Sequence, residues 1–240
     1  MQLGTVKTRY SKKFSYIKDT DEAVHLENYG EYKQKEINLL KLLLHNNVGD
    51  TFVYDVGAGI GTRTIALSKM AAVIAFEHNE DKLKVLKMNT QGKIAPNVMI
   101  VPKSLETTDP HAKDIPNLDG QLMQLPEPTL VCISGDSTRV LRGMTATMML
   151  IKPVIYIDIA NTEDISYQYS ILVERGYKMY WYSCPGFNLN NFKEKQLNIT
   201  ADSFYMNILA IHEDVDIHDG GIDLPRIDGP NDNWKRFNND

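Results

Sequence analysis

The run VYDVGAGIGTRTIAL places three glycines at alternate positions, Gly57, Gly59 and Gly61, two residues after an acid, Asp55. A second acid, Glu77, follows the first glycine at a distance of about 20 residues. Bare backbone where a strand gives way to a helix opens main-chain N–H groups, and the free donors of the helix start, to a ligand at the sheet's carboxyl edge. A carboxylate ending the next strand can accept both hydroxyls of a ribose. This is nucleotide-binding chemistry. The dinucleotide fingerprint G-x-G-x-x-G requires its third glycine at position 62, where the chain has Thr62. A nicotinamide cofactor and a purely structural turn stand as the alternatives to another nucleoside ligand.

The elements that must position these groups follow from the pattern of apolar runs. TFVYDVG, AAVIAFE, NVMIVP, TLVCIS and PVIYIDI read as strands, and the segments 60–69, 81–89, 137–150 and 163–175 between them read as helices. Strands that are nearly all apolar suit a parallel sheet covered on both faces, so the expected architecture is a doubly wound α/β fold. KMYWYSC and FYMNILAIH add two more strands around an Asn-rich loop, which makes seven in all with an antiparallel edge strand. Tyr177, Tyr180, Trp181 and Tyr182 in the first of them read as core and edge packing. Ahead of the first strand, Ile37, Leu40, Leu43 and Leu44 fall at helical spacing, and Gly49 is placed to stop that helix.

A net charge of -5 over 240 residues gives no general attraction to nucleic acid or anionic lipid, while leaving room for a local basic patch. No apolar run approaches the roughly 20 residues of a membrane span, and the basic N-terminal residues lack the apolar core of a secretory signal. A cytoplasmic location is expected. Cys132 and Cys184 have no zinc-ligand neighbours in sequence and read as buried thiols. The tail 213–240 is acidic and without periodicity, so it is expected to be flexible or pinned locally at Trp234.

The alternate glycines behind an acid look like the S-adenosylmethionine loop of class I methyltransferases. The resemblance extends further. GEYKQKEINLLKLLL, GDTFVYDVGAGIGTRTIALS, VIAFEHNEDKLKVLKMN, NLDGQL and VLRGMTATMMLIKPVIYIDIAN occur in the order seen in FkbM-type methyltransferases, and the similarity covers residues 29–212. It implies a Rossmann-like methyltransferase domain over 29–212, preceded by an extension, 1–28. It also implies S-adenosylmethionine as cofactor and O-methylation of a sugar hydroxyl in a glycan or glycoconjugate. Asp55, Gly57, Ala58, Gly59, Gly61 and Glu77 then fall in the cofactor site, with His78 at the edge of the adenine pocket. Asp119 matches the acid of the family's LD pair, and Gly135 and Gly143 match two of its glycines. The departure is at the fourth strand, where the family commonly reads KIDVEGAE and this chain reads LVCISGDS. Leu130 stands for the lysine, and Cys132, Ser134 and Ser137 stand for three acids. Metal binding and the usual proton acceptor are thereby in question.

Methyl transfer from a sulfonium needs the acceptor oxygen held in line and, for a sugar hydroxyl, a base to take its proton. Asp136 and Asp158 are the expected bases because each lies just beyond a strand's carboxyl end, though an acid there is equally suited to capping a helix. His25 and Glu31, upstream of the first strand, and Asn188 and Asn191, in the amide-rich loop with Asn190 and Phe192, are the expected substrate contacts. Amides offer both donors and acceptors to sugar hydroxyls. His212, at the end of the last strand, is assigned no chemistry. The replaced acids motivate a second expectation, a degenerate member that binds S-adenosylmethionine without catalysis and serves as a partner subunit.

Overall fold

Leu3–Val6 and Phe14–Ile17 form an antiparallel hairpin, β1 and β2, at the start of the chain. The computed structural model describes residues 1–45, 50–105, 117–122, 124–159, 164–200, 203–215 and 223–235. Gly49 and Glu163, both assigned above from sequence, lie outside the described residues, as do parts of the acidic tail. Two compact units emerge, Met1–Lys103 with Cys184–Phe204, and Ser104–Ser183 with Tyr205–Asp240.

In the first unit, α1 (Asp21–Tyr29) starts at Thr20, whose hydroxyl accepts from Ala23 N at 3.1 Å, and stops at Gly30, whose φ of 66° suits a left-handed helix cap. The helix α2 (Gln34–His45) buries Ile37, Leu40, Leu43 and Leu44, the apolar stripe its spacing predicts. β3 (Phe52–Val56), β4 (Ala72–Phe76) and β5 (Val98–Val101) pair in parallel, with α3 (Thr62–Leu67) and α4 (Glu80–Thr90) as crossovers. β3 and β4 are buried at eight of their ten positions, as covered parallel strands should be. The N-terminal residues belong to this core: Phe14, Tyr16 and Leu26 cluster with Ile60 and Ile65.

The second unit holds α5 (Leu118–Gln121), β6 (Leu130–Ile133), α6 (Ser137–Arg142), β7 (Val154–Asp158), α7 (Ser166–Val173), most of β8 (Tyr177–Pro185) and β9 (Phe204–His212). β6 and β7 are parallel, and β9 runs antiparallel to β7. The single helix expected over 137–150 is interrupted. Gly143 ends α6 and approaches Asn117, so that a side chain at 143 would meet the Asn117 Cβ at 2.9 Å. The chain then restarts as a π-helical turn, Thr147–Ile151, because the Asp119 carboxylate accepts from Ala146 N, Thr147 N and the Thr147 hydroxyl at 2.7 to 2.9 Å. The tail is anchored at Pro225 and Ile227, which bond to the backbone of Trp181 and Met179 in β8.

The seven-stranded sheet has the order β5-β4-β3-β6-β7-β9-β8, a mostly parallel α/β sheet with its antiparallel strand next to one edge. Among the described residues no helix is long and apolar enough to cross a membrane.

Candidate functional site

The glycine loop is held by backbone and by Glu77. Gly57 N and Ala58 N both donate to the Phe76 carbonyl, at 2.9 and 3.0 Å, so the loop turns directly over the end of β4. Glu77, 4% exposed, accepts from Gly59 N at 2.8 Å through one oxygen and from His78 N and Asn79 N at 2.9 and 2.8 Å through the other. A carboxylate has about four acceptor positions, so these three bonds leave capacity for a ligand hydroxyl. Gly59 has a φ of 61°, and a side chain there would find nothing within 4 Å: the loop faces open space at this point. At Gly61, φ 93°, the constraint is the reverse, because a side chain would meet Leu86 Cδ1 at 2.6 Å. Backbone approach at Gly59, backed by an acid, fits a nucleoside ligand. His78 is exposed, and its N–H is the group that Glu77 holds.

Asp55 does something the motif does not reveal. It is fully buried, and it accepts from Arg63 Nε at 2.9 Å, Arg63 Nη2 at 2.8 Å and the Thr64 hydroxyl at 2.6 Å. Arg63 also pairs with Glu36 of α2 at 3.2 Å. Asp55 therefore ties β3 to the helix behind the glycines instead of presenting its oxygens to a ligand. Asn89, 1% exposed, completes the support: its amide donates to Ile60 O at 2.9 Å and to Ser15 O at 2.8 Å, while accepting from Ser15 N at 2.7 Å. Arg63 carried one signal in the sequence, a lone cation in the otherwise uncharged run TRTIAL; Asn89 carried none.

The four expected substrate contacts lie in the first unit, and three form one clasp. Glu31 accepts from Arg9 Nε and Nη2 at 2.9 and 2.7 Å, from Phe192 N at 2.9 Å and from Asn188 Nδ2 at 2.7 Å. Asn191, 3% exposed, donates to Asn188 O and Lys195 O and accepts from Lys195 N. Their polar atoms are engaged inside the protein, which makes Glu31, Asn188 and Asn191 positioning residues for the loop. His25 is buried, edge-on to the Tyr29 and Tyr32 rings at 5.9 and 5.3 Å, with Asp21 at 3.7 Å.

Burial holds the His25 pKa below its ordinary value of 6.5, and Lys33 acts in the same direction, while Asp21 and a bond to the Gly186 backbone oppose it. The unfolded chain therefore takes up a proton that the folded one refuses. The His25 contribution to stability is complete above about pH 6.5 and is lost as pH falls toward the folded pKa, by at most about 1.4 kcal/mol per pH unit. Glu22, whose carboxyl is raised by burial, works in the opposite sense. The difference in urea midpoint between wild type and His25→Gln should accordingly shrink between pH 7.5 and 5.5; a constant difference would contradict a neutral buried imidazole.

In the second unit, Asp136 is the N-cap of α6: it accepts from Arg139 N at 3.1 Å and pairs with Arg139 Nε at 3.0 Å. Asp158, at the end of β7, accepts a hydrogen bond from the Ser134 hydroxyl at the end of β6. Ser137 is buried and bonded to Gln168, and Cys132 is a buried free thiol in β6, as is Cys184 in β8. His212 stacks edge-on to Tyr177 and accepts from Asp214 N, a packing role. Among the described residues no group of three or more His, Cys, Asp and Glu side chains could hold a metal ion.

No family model matches the sequence, and comparison with curated proteins gave no match. Solved structures do match. A precorrin-6y C5,15-methyltransferase from Geobacter metallireducens GS-15 aligns at 17% identity over 76% of this chain and 95% of that one, with a TM-score of 0.53. A magnesium protoporphyrin IX methyltransferase from Synechocystis PCC 6803 with bound SAH aligns at 14% identity over 75% and 82%, with a TM-score of 0.50. An FkbM methyltransferase from Methylobacillus flagellatus KT aligns at 16% identity over 67% of this chain and 43% of that one, with a TM-score of 0.44. At these identities the first two likenesses establish a shared fold alone, a mostly parallel, Rossmann-like α/β sheet.

Proposed function

We propose that the protein is an S-adenosylmethionine-dependent O-methyltransferase whose acceptor is a sugar hydroxyl of a glycan or glycoconjugate. The observation that carries this reading is the glycine loop open at Gly59 and bonded there to Glu77, the acid ending the next strand. Two of the proteins sharing the fold are methyltransferases, one of them with SAH bound, which supports the same cofactor here. The sugar acceptor and FkbM-type membership rest on the motifs of residues 29–212.

The cofactor supplies a methyl group on a sulfonium, and the residues do the rest. Glu77 would accept a ribose hydroxyl, and the main chain at Gly57, Ala58 and Gly59 would receive the ligand without side-chain interference. Asp55, through Arg63, and Asn89, through Ile60, hold that loop in register. Asp158 takes the proton of the acceptor hydroxyl, with Ser134 orienting its carboxylate. Asp136 is committed to its cap, and one observation thereby favours a second reading. If Asp158 proves inert, the absence of acids at Cys132, Ser134 and Ser137 points to a non-catalytic, cofactor-binding subunit.

Calorimetric titration with S-adenosylmethionine and with a nicotinamide dinucleotide, followed by labelled-methyl transfer to a sugar panel, separates the readings. Binding with transfer establishes the enzyme, binding without transfer favours the subunit, and dinucleotide binding alone overturns both. Glu77→Ala should weaken S-adenosylmethionine binding by about 1–3 kcal/mol. Unchanged affinity in that titration would remove Glu77 from the site.

A further inference from the structure

Asn207 lies in β9 with none of its surface exposed, an amide among the buried apolar side chains of Met206, Ile208 and Leu209. A buried amide needs partners for its nitrogen and for its oxygen. The nitrogen has them: it donates to Tyr205 O at 2.9 Å and to Tyr182 O at 3.3 Å. The oxygen does not. Asn207 Oδ1 is buried and has no hydrogen-bond donor among the described residues. An acceptor left so is costly, which calls for a donor that arrives while the protein works.

The sheet decides which way that oxygen points. β9 lies between β7 and β8. Tyr182 belongs to β8, so the planar amide turns its nitrogen toward β8 and its oxygen, at the opposite end, toward β7. The residue across from it on β7 is Asp158, its partner in the antiparallel register. In the next pair Ile159 N donates to Met206 O at 3.3 Å, which makes Asp158 and Asn207 a non-hydrogen-bonded pair. Such pairs have Cα atoms about 4.5 Å apart and set their two side chains close together on one face of the sheet. On its other flank Asp158 receives the Ser134 hydroxyl of the β6 end.

A carboxylate can only accept, and so offers Asn207 Oδ1 nothing; a carboxylic acid has one O–H to give. The other titratable side chains facing this pair within the second unit are Cys132, beside Tyr156 in the β6–β7 register, Tyr156 itself, Tyr182 with its ring 6.3 Å from that of Tyr156, and Tyr205, two residues before Asn207. They are a thiol and three phenols, none of them a carboxylate or a cation. Asp136 and Arg139 of α6 are paired with each other.

We propose that Asn207 is a positioning residue for the base: when Asp158 has taken the proton of the acceptor hydroxyl, the O–H so formed donates to Asn207 Oδ1. The acceptor oxygen loses its proton and gains the methyl, the electron pair of the broken carbon–sulfur bond stays on sulfur, and Asp158 passes from carboxylate to acid. No further reactant is needed. A hydrogen bond open only to the protonated form makes Asp158 a stronger base than it would be beside an apolar residue, while Ser134, which donates to the carboxylate, acts in the opposite sense. The inference rests on the reading of Asp158 as the base, but its first test does not need turnover.

Carbon-detected NMR of the full chain, labelled at the aspartate carboxyls, reads the Asp158 titration midpoint, its signal being the one absent from Asp158→Asn. Asn207→Leu keeps the volume and removes the acceptor, and the midpoint should fall by about one pH unit. An apolar neighbour acting by burial alone would move it up, so an unchanged or raised midpoint would overturn the proposal. The wild type decides the matter even where that variant does not fold: the Asn207 side-chain carbonyl carbon should titrate with the Asp158 midpoint, and a flat curve or a different midpoint would overturn the pairing. In labelled-methyl transfer the acid limb of kcat should shift to lower pH by the same amount, with the KM for S-adenosylmethionine unchanged. A limb that stays in place while the midpoint moves would remove Asp158 from the reaction and Asn207 with it. Failure of the wild type to bind S-adenosylmethionine would overturn the proposed function, while the two midpoints still decide whether Asn207 receives the Asp158 proton.

Discussion

Replacing Arg63 by methionine will lower the free energy of unfolding by about 3–5 kcal/mol, the cost of leaving buried carboxylates without their counter-ion. Arg63 is 8% exposed, and its guanidinium lies between Asp55, which is fully buried, and Glu36, which is 2% exposed. Methionine fills much of the same space, so packing loss contributes little and the electrostatic deficit dominates. Urea unfolding at neutral pH measures it. The double variant Arg63→Met/Asp55→Asn should recover part of the loss, because an amide can be buried at lower cost than a charge; additive losses would show that the two side chains do not act as a pair. The same substitution should weaken cofactor binding, since the network joins β3, α2 and the helix that starts directly behind Gly61. A loss under about 1 kcal/mol would place these residues among ordinary surface-type ion pairs.

What the sequence disclosed and what it hid follow from the range of the interactions. β3, β4, β6 and β7 were legible because a strand buried on both faces must be an apolar run, and the intervening helices had periodic faces. The hairpin β1–β2 was not, for its strands are only four residues long and β2 is secured by Asn89, 74 residues away. MTATMMLI reads as uninterrupted helix, and only the contact of Gly143 with Asn117 and the cap from Asp119 show why the chain breaks there. The same division holds in the site. The glycine loop and Glu77 work through backbone and a strand end, features that local spacing records. Asp55, Glu31, Asn188 and Asn191 were read by residue type, but type does not say which way a side chain's partners lie. Glu31 finds Asn188 across 157 residues of sequence. In each case the polar group expected to face a ligand is instead satisfied by the protein, as buried polar groups must be.

Asp158→Asn is expected to reduce turnover by about 10²- to 10⁴-fold while leaving S-adenosylmethionine affinity nearly unchanged. The argument turns on what asparagine preserves. Its oxygen can still accept the hydrogen bond from the Ser134 hydroxyl, so the local geometry at the ends of β6 and β7 survives, and only the capacity to take a proton is lost. Ser134→Ala is the complementary change: it removes the orienting donor but keeps the base, and should cost far less in kcat than Asp158→Asn. Asp136→Asn gives the contrast that assigns the role, because asparagine caps a helix as well as aspartate does and the carboxylate it replaces is paired with Arg139. Turnover should there be close to wild type. Labelled-methyl transfer under saturating cofactor reads all three. If Asp136→Asn were the damaging substitution, the base would sit at the start of α6 and Asp158 would be a structural acid. If none of the three changed a measurable rate, proton removal would not limit the reaction and the base would have to be sought among other groups.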